Sequence, residues 1–147
     1  MIRIASLVLL PALLCAAPGF SQDDFAGQFG AVCGACHMPD GSGVPGLAPP
    51  INDPALFESL GDDAPHYVAG VMLSGLAGTV TVNGQIYAGL VMPPHTHLSD
   101  NQIAALGTYL LTTINGTSLE LDIEMVAALR QAPPSHADLR TMREGSQ

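Results

Sequence analysis

Hydrophobic residues near the start of the chain recur at helical spacing. Phe25, Phe29 and Val32 fall at positions i, i+4 and i+7, which form the apolar stripe of an amphipathic helix. Ser21 followed by Asp24 has the pattern of a capping box, in which side chains satisfy the free N–H groups at a helix start. The pattern therefore predicts a first helix that begins near Ser21 and buries one apolar face.

Turn-forming residues dominate the middle of the chain. Residues 39–54 are rich in Gly and Pro and predict a loop without regular structure. A short helix is expected over residues 64–73, with a proline in its first turn, where no N–H donor is needed. Residues 79–87 predict two short strands around Asn83-Gly84, a pair that adopts the positive φ angles of a type I′ turn. One tight β-hairpin is thus expected in a helical chain.

Two further helices are predicted in the last third of the chain. Ser99 and Gln102 form a second capping box. The buried face of the helix that follows consists of Ile103, Leu106, Leu110 and Ile114. The Asn-Gly pair at 115–116 ends that helix, and residues 122–131 predict another helix that two prolines end. The last dozen residues are polar, and we expect them to be mobile.

Gly107 lies inside the helix predicted after Ser99, where a glycine costs about 1 kcal/mol relative to alanine. A helix can tolerate that cost without any special reason. Alternatively, Gly107 marks a close crossing with the N-terminal helix, where no side chain would fit. Both interpretations stay open at the level of the sequence.

The N-terminus has the composition of a secretory signal. Arg3 precedes an apolar stretch over residues 4–14, and small residues follow up to Ser21. This stretch of 11 residues is too short to cross a bilayer, where about 20 are needed. Cys15 raises a lipoprotein alternative, but Leu14 stands where a lipid-attachment signal has a small residue. We expect cleavage near Ser21 or Ala17, export to the periplasm, and no membrane span in the mature chain.

Charge is unevenly distributed along the chain. The net charge is −9, with 13 acidic residues against four arginines and no lysine. Residues 22–129 contain no basic side chain other than histidine. Nucleic acids and anionic membrane surfaces are therefore excluded as partners. A solvated acidic surface and an acidic docking surface for a basic partner protein both fit this charge.

One pentapeptide, Cys33-Gly34-Ala35-Cys36-His37, carries the chemistry of the chain. Two cysteines separated by two residues, with a histidine directly after the second, are the attachment signature of c-type haem. The thiols add to the two vinyl groups along one porphyrin edge, and the histidine then reaches the iron. A thioredoxin-like motif would need a βαβ context, and a zinc site would need two more Cys or His ligands at close spacing. We therefore predict one covalent haem c, bound by Cys33 and Cys36, with His37 on the iron.

The second axial ligand of the iron must come from elsewhere in the chain. Met92 lies 55 positions after His37, in a loop that two prolines stiffen, and its thioether is a soft ligand that raises the reduction potential. His95 and His97 are the rivals, and either of them would give a bis-histidine haem of lower potential. Met72 is expected to be a core residue that contacts the haem. The sequence thus favours Met92 as the distal ligand.

With these residues the chain resembles the class I c-type cytochromes, which are small bacterial monohaem proteins. The resemblance covers about residues 23–116, and the chain closely resembles the cytochrome subunits and domains that serve periplasmic oxidoreductases. The matching segments are Phe29, residues 33–37, 46–50, 75–78, 82–87, Met92-Pro93, 98–100 and Tyr109. A tail segment that ends near Arg130 matches as well.

The resemblance implies three features of the haem site. The helices that carry Phe29 and Tyr109 cross and pack against each other. Pro49 accepts a hydrogen bond at its carbonyl from the ring nitrogen of His37 that is not on the iron. The hairpin that contains Tyr87 lies near the haem propionates.

Together these observations predict an all-α class I cytochrome c fold of about four to five helices around one covalent haem, with one small β-hairpin. Residues 1–21 are the secretory signal, 22–116 the cytochrome domain, and 117–147 a C-terminal helical extension and polar tail. The expected function is periplasmic one-electron transfer to or from a dehydrogenase, reductase or terminal oxidase, without catalysis of its own. The alternatives are a haem enzyme or gas sensor with a labile sixth ligand, and a structural or assembly subunit.

Overall fold

Helices make up most of the computed structural model, which describes residues 22–145 of the chain. The predicted secretory signal, Cys15 and the capping Ser21 lie outside these residues. Short antiparallel strands occupy the middle of the described chain, so the predicted all-α architecture with a β-hairpin is confirmed. No helix within residues 22–145 is long and apolar enough to cross a membrane.

Seven α-helices lie within the described residues, more than the four to five that the sequence predicts. They are α1 (Gln22–Val32), α2 (Gly34–His37), α3 (Pro54–Leu60), α4 (Ala64–Ser74), α5 (Asp100–Tyr109), α6 (Ile123–Gln131) and α7 (His136–Gly145). A 3₁₀ turn over Gly61–Asp63 joins α3 to α4, and a π-helical turn over Leu110–Ile114 continues α5. Helices α3 and α7 are the unpredicted ones.

Helix α3 begins at the end of the segment predicted as a loop. Asp53 caps this helix, because its Oδ1 accepts a hydrogen bond from the Leu56 N–H at 3.2 Å. Pro54 occupies the first turn, where a missing N–H costs nothing. An Asp followed by Pro is a helix-start signal, but the Gly- and Pro-rich residues before it favour a loop.

The predicted β-hairpin is present. Strand β2 (Val80–Val82) pairs antiparallel with β3 (Gln85–Tyr87). Asn83 and Gly84 have φ angles of 50° and 76°, the left-handed values that a type I′ turn requires. The local chemistry of two residues is therefore enough to set this turn.

A second antiparallel pair, β1 (Leu76–Ala77) with β4 (Val91–Met92), is absent from the sequence prediction. Leu76 lies opposite Met92 in its register. Met92 therefore lies in a strand, and the prediction that it lies in a loop is wrong. Each strand has two residues, which is too few for an alternating pattern to be recognised in the sequence.

Both predicted helices of the last third are present. Ser99 and Gln102 form the predicted capping box: the Gln102 N–H donates to Ser99 Oγ, and the Ser99 N–H donates to Gln102 Oε1 at 2.9 Å. Asp122 caps α6 by accepting a hydrogen bond from the Met125 N–H at 3.1 Å. These helix starts can be predicted from the sequence because each cap is a contact between residues three apart in the chain.

Helices α1 and α5 pack against each other at the centre of the core. The rings of Phe29 and Tyr109 lie with their centroids 5.2 Å apart, which confirms the predicted crossing. Gly107 has a different neighbour from the predicted one. A Cβ built on Gly107 would lie 2.3 Å from Leu121 Cδ2, so the close approach is to the segment before α6 and not to the N-terminal helix.

The prediction of a mobile C-terminus is wrong for residues 136–145. Ser135 and Asp138 form a capping box at the start of α7, with Ser135 Oγ and Asp138 Oδ2 2.7 Å apart. Leu139 is completely buried and packs beside Gly70 of α4. Arg140 donates a hydrogen bond to the Ala77 carbonyl. The polar composition suggested mobility, but one buried leucine and a cap hold this helix on the core.

Replacement of Gly107 by alanine tests the close approach to Leu121. Because Leu121 is itself buried, its side chain cannot move away freely, so Gly107→Ala should lower the free energy of unfolding by about 1–3 kcal/mol. Gly27→Ala is the matched control, since a Cβ at Gly27 of α1 meets nothing within 4 Å and alanine favours a helix by about 1 kcal/mol. Thermal unfolding of the two variants should shift in opposite directions, and equal shifts would contradict the assignment.

Candidate haem site

The cysteine motif forms one helical turn on the wall of a cavity. The Cys33 N–H donates to the Phe29 carbonyl at 2.8 Å and the His37 N–H donates to the Cys33 carbonyl at 2.9 Å, so helix α2 continues directly from α1. Cys33, Cys36 and His37 all line one cavity of about 250 Å³. Neither cysteine forms a disulfide; Cys33 is half-buried and Cys36 exposed. Burial, and secondly the nearby Cys36, raises the pKa of the Cys33 thiol to about 11.

His37 is buried and has a fixed orientation. Its Nδ1 lies 2.9 Å from the Pro49 carbonyl, which can only accept, so Nδ1 carries the proton. The lone pair of Nε2 is then free for a metal ion. Burial lowers the pKa of His37, and the bond to Pro49 opposes this more weakly, so the neutral imidazole that binds metals is favoured. The predicted hydrogen bond between His37 and Pro49 is therefore present.

The loop after α2 folds back on itself and brings the Pro49 carbonyl to His37. The Gly43 N–H donates to the His37 carbonyl at 2.9 Å, and the Ile51 N–H donates to the Gly41 carbonyl at 2.8 Å. Gly43 has a φ of +73°, and a Cβ there would lie 2.6 Å from the Pro49 carbonyl carbon. Only glycine fits at this position, because any side chain would push Pro49 away from His37.

Strand pairing fixes the backbone of Met92 at the same cavity. Met92 lines the cavity, as His37 does, and pairs with Leu76 of β1. The neighbouring Gly75 has a φ of +71°, and a Cβ there would lie 2.4 Å from the Met92 carbonyl oxygen. Gly75 therefore lets the end of α4 pass directly beside Met92.

The rival ligands differ in their position relative to the cavity. Met72 and His95 line it, whereas His97 is exposed and is not among the described residues on its wall. The His95 N–H donates to the Met72 carbonyl at 2.7 Å, which connects the residues after β4 to α4. Burial, and secondly the charges of His97 and His37, lowers the pKa of His95. Of the two histidines, only His95 competes with Met92 by position.

Comparison with known proteins identifies the family. The family model "Cytochrome c" matches residues 26–113. One cytochrome c-552 of Thermus thermophilus is 33% identical over 104 residues, which cover 71% of this chain and 69% of that protein. A second cytochrome c-552 of Thermus thermophilus is 34% identical over 82 residues, 56% of this chain and 62% of its own length. This chain belongs to the cytochrome c family.

The cofactor of this cytochrome is the covalently bound haem c of its family, with its iron, and the protein is a haem-based electron carrier. The described cavity fits such a group. Its wall is largely apolar, and two cysteines outside any disulfide and an imidazole whose Nδ1 faces Pro49 lie together in one helical turn. These are the donors that thioether attachment and axial ligation require.

The lining of the cytochrome's cavity also includes polar side chains. Tyr87 on β3 is buried and lines the cavity; that it lies near the haem propionates stays a prediction. Asp53, Tyr67 and Arg143 line the cavity as well. Arg143 belongs to α7, so sequence reasoning missed it together with that helix. The spacing of Leu139 and Arg143 at i and i+4 was the one signal that both residues face the core.

Asn115 holds the wall of the cavity to the end of α5. Its Oδ1 accepts a hydrogen bond from the Asp53 N–H at 2.7 Å, and its Nδ2 donates to the carbonyls of Ile51 and Leu110 at 3.0 and 2.9 Å. The sequence indicates only that Asn115 ends a helix. Its contacts with residues 62 and 64 positions away are decided by the tertiary fold.

Asn115→Ala should therefore destabilise the cytochrome. It removes three hydrogen bonds and leaves the Asp53 N–H without its partner, which should lower the free energy of unfolding by about 2–4 kcal/mol. Asn101→Ala is the control, because Asn101 is exposed on α5. Denaturant unfolding followed by haem absorbance measures both variants. A loss in Asn115→Ala no larger than in the control would show that the three bonds do not hold this wall.

Proposed function

We propose that this cytochrome is an exported, periplasmic one-electron carrier that serves a dehydrogenase, reductase or terminal oxidase. In this proposal Cys33 and Cys36 hold the haem by thioether bonds, and His37 and Met92 are the axial ligands of its iron. The bound haem supplies reversible one-electron exchange between Fe(III) and Fe(II). The observation that carries the proposal is that all four side chains line one largely apolar cavity.

The residues around the two proposed ligands hold them in place without taking part in the redox change. The Pro49 carbonyl accepts the Nδ1 proton of His37, which fixes the ring and increases the basicity of Nε2. Gly75 and the pairing with Leu76 fix the Met92 backbone. Because both axial positions would be filled, no open site is left for substrate, and a thioether favours Fe(II) and raises the potential.

Met92→Ala tests the distal ligand. The ferric protein should lose the weak long-wavelength charge-transfer band of sulfur-to-iron coordination, and its reduction potential should fall, because a soft ligand that favours Fe(II) is removed. Absorbance spectroscopy and a redox titration measure the two effects. Met72→Leu is the control, since Met72 also lines the cavity and should keep both properties.

His95→Ala distinguishes the rival ligand. If His95→Ala removes the low-spin spectrum while Met92→Ala keeps the sulfur band, the assignment of Met92 is wrong. Displacement of the Met92 ligand by a small gas at equilibrium, or during turnover, would favour the haem enzyme or sensor instead.

Two exposed apolar side chains mark the proposed docking surface. Leu47 is 53% and Val91 68% exposed, although both also line the cavity, so they lie where the cavity meets the solvent. We call these two residues the apolar rim. An electron carrier must separate from its partner again, and a small apolar contact with polar surroundings suits such a transient complex.

One exposed acid lies close to the apolar rim in the sequence. Asp40 is exposed in the loop between His37 and Leu47, and hydrogen bonds from Ser42 lower the pKa of its carboxyl, so it stays ionised at neutral pH. Asp100, by contrast, is paired with Arg130 at 2.7 Å, so its charge is compensated. We propose that Asp40, together with the net charge of −9, guides a partner with a basic docking surface.

Small charged oxidants test whether the negative charge of the protein guides association, without the natural partner. The second-order rate at which the reduced protein transfers an electron to cationic hexaammineruthenium(III) should fall several-fold between about 10 mM and 1 M salt, as the Debye length shrinks from about 30 to 3 Å. The rate with anionic hexacyanoferrate(III) should rise over the same range. Stopped-flow absorbance measures both rates.

Asp40→Asn should flatten the salt dependence of both reactions. Glu124→Gln removes the same charge from an exposed position on α6 and should change it less. If both rates are independent of salt, or if the two variants behave alike, the acidic field at the rim does not guide docking.

A further inference from the structure

Arg143 is a buried cation that the proposed ligand set does not use. It is 8% exposed and is the one lysine or arginine among the described residues that line the haem cavity. A guanidinium stays charged at all relevant pH values, and a buried charge is costly unless it is paired. Arg143 comes from α7, which lies beyond residues 26–113 that match the family model.

The acceptors that the protein itself offers to Arg143 are all distant. Its Nη2 lies 3.4 Å from Asp53 Oδ2 and its Nη1 lies 3.4 Å from the Tyr67 hydroxyl oxygen. Its Nε and Nη2 lie 3.4 and 3.3 Å from the Thr81 carbonyl oxygen. Charge-assisted hydrogen bonds are normally about 2.7–2.9 Å long. The guanidinium is therefore surrounded by acceptors but tightly bound to none.

Arg130 shows what a well-paired arginine looks like in the same chain. Its Nε lies 2.7 Å from Asp100 Oδ1 and its Nη2 lies 2.7 Å from the Leu98 carbonyl oxygen. Yet the Arg130 side chain is 26% exposed, against 9% for Arg143. The more deeply buried guanidinium, which needs a close partner more, has the longer contacts.

Asp53 does not serve Arg143 alone. Its Oδ1 caps α3 through the Leu56 N–H, and its own N–H donates to Asn115. A carboxylate in this position is needed to begin α3 whether or not an arginine is near. The ion pair with Arg143 is thus one of several contacts of Asp53. The five guanidinium N–H groups share four contacts of 3.3–3.4 Å, so one N–H, on Nη1, remains outside them for a further acceptor.

We propose that Arg143 is the anchor for a propionate of the bound haem. A haem carries two propionate carboxylates, and residues 22–129 contain no lysine or arginine that could pair with either of them. Arg143 presents its planar guanidinium at the cavity wall, beside Tyr67 and near the hairpin, with one N–H of Nη1 outside these four contacts and the other N–H groups in long contacts only. Helix α7 is then part of the haem site. The inference depends on haem c and not on the identity of the distal ligand.

The anchor should be visible in the pH dependence of the reduction potential. The other titratable or charged groups on this cavity are Asp53 before α3, Tyr67 on α4, Tyr87 on β3, and the histidines His37 and His95. A propionate paired with Arg143 keeps a low pKa and stays ionised. Without Arg143 the buried carboxylate has a raised pKa, and its proton uptake then shifts the potential upwards as the pH falls.

The experiment measures the reduction potential of the holoprotein as a function of pH in the wild type, Arg143→Gln and Arg143→Lys. Arg143→Gln should lower the potential at high pH and add a pH-dependent step that the wild type lacks, and Arg143→Lys should restore part of the wild-type profile. A step caused by His95 would occur in the wild type as well, so the difference between the profiles isolates the propionate. Arg130→Gln removes the same charge and should add no step.

Asp53→Asn separates the proposal from a purely structural role. If Arg143 serves only to pair with Asp53, Asp53→Asn and Arg143→Gln should lower the unfolding temperature alike, and neither should add a pH-dependent step. That result overturns the proposal. Should Arg143→Gln not fold, Arg143→Met takes its place in the comparison, and the absence of a pH-dependent step in that variant overturns the proposal equally. The sulfur-to-iron band should persist in all of these variants, so an error in the assignment of Met92 would be recognised independently.

Discussion

The hydrogen bond between His37 and the Pro49 carbonyl is the contact on which the rest of the haem site depends. It joins the turn that carries both cysteines to the loop that forms the next part of the cavity wall. The bond needs the loop to fold back tightly, which Gly43 allows because no side chain separates it from Pro49. One interaction thus sets the tautomer of the imidazole, its orientation and the shape of the cavity.

The remaining walls are held by contacts between residues that are far apart in the chain. Asn115 ties the loop end at Asp53 to the end of α5. Gly75 brings α4 against the backbone of Met92. Helix α7 then closes the site, since Leu139 packs on α4 and Arg143 reaches the cavity. The C-terminal extension is therefore a structural part of the electron carrier, and its arginines supply cations that the cytochrome domain lacks.

Charge and apolar surface have separate roles in this arrangement. The arginines Arg130, Arg140 and Arg143 are all engaged with carbonyl or carboxylate oxygens of the cytochrome domain. The acidic residues stay largely at the surface, and Asp40 remains ionised beside the motif. Of these three arginines Arg143 is buried and Arg130 and Arg140 are half-buried, so little positive charge of the described residues is fully exposed.

The sequence by itself determined the features that depend on residues close together in the chain. The spacing of Cys33, Cys36 and His37 specifies the cofactor, because the chemistry of attachment acts within one helical turn. Asn83-Gly84 sets the hairpin and Ser99 begins α5, since turns and caps are contacts between near neighbours. Only the tertiary structure decided that Met92 lies in a strand, that Leu121 covers Gly107, and that α7 brings Arg143 to the haem cavity. Those outcomes rest on packing between distant segments, which local propensity does not encode.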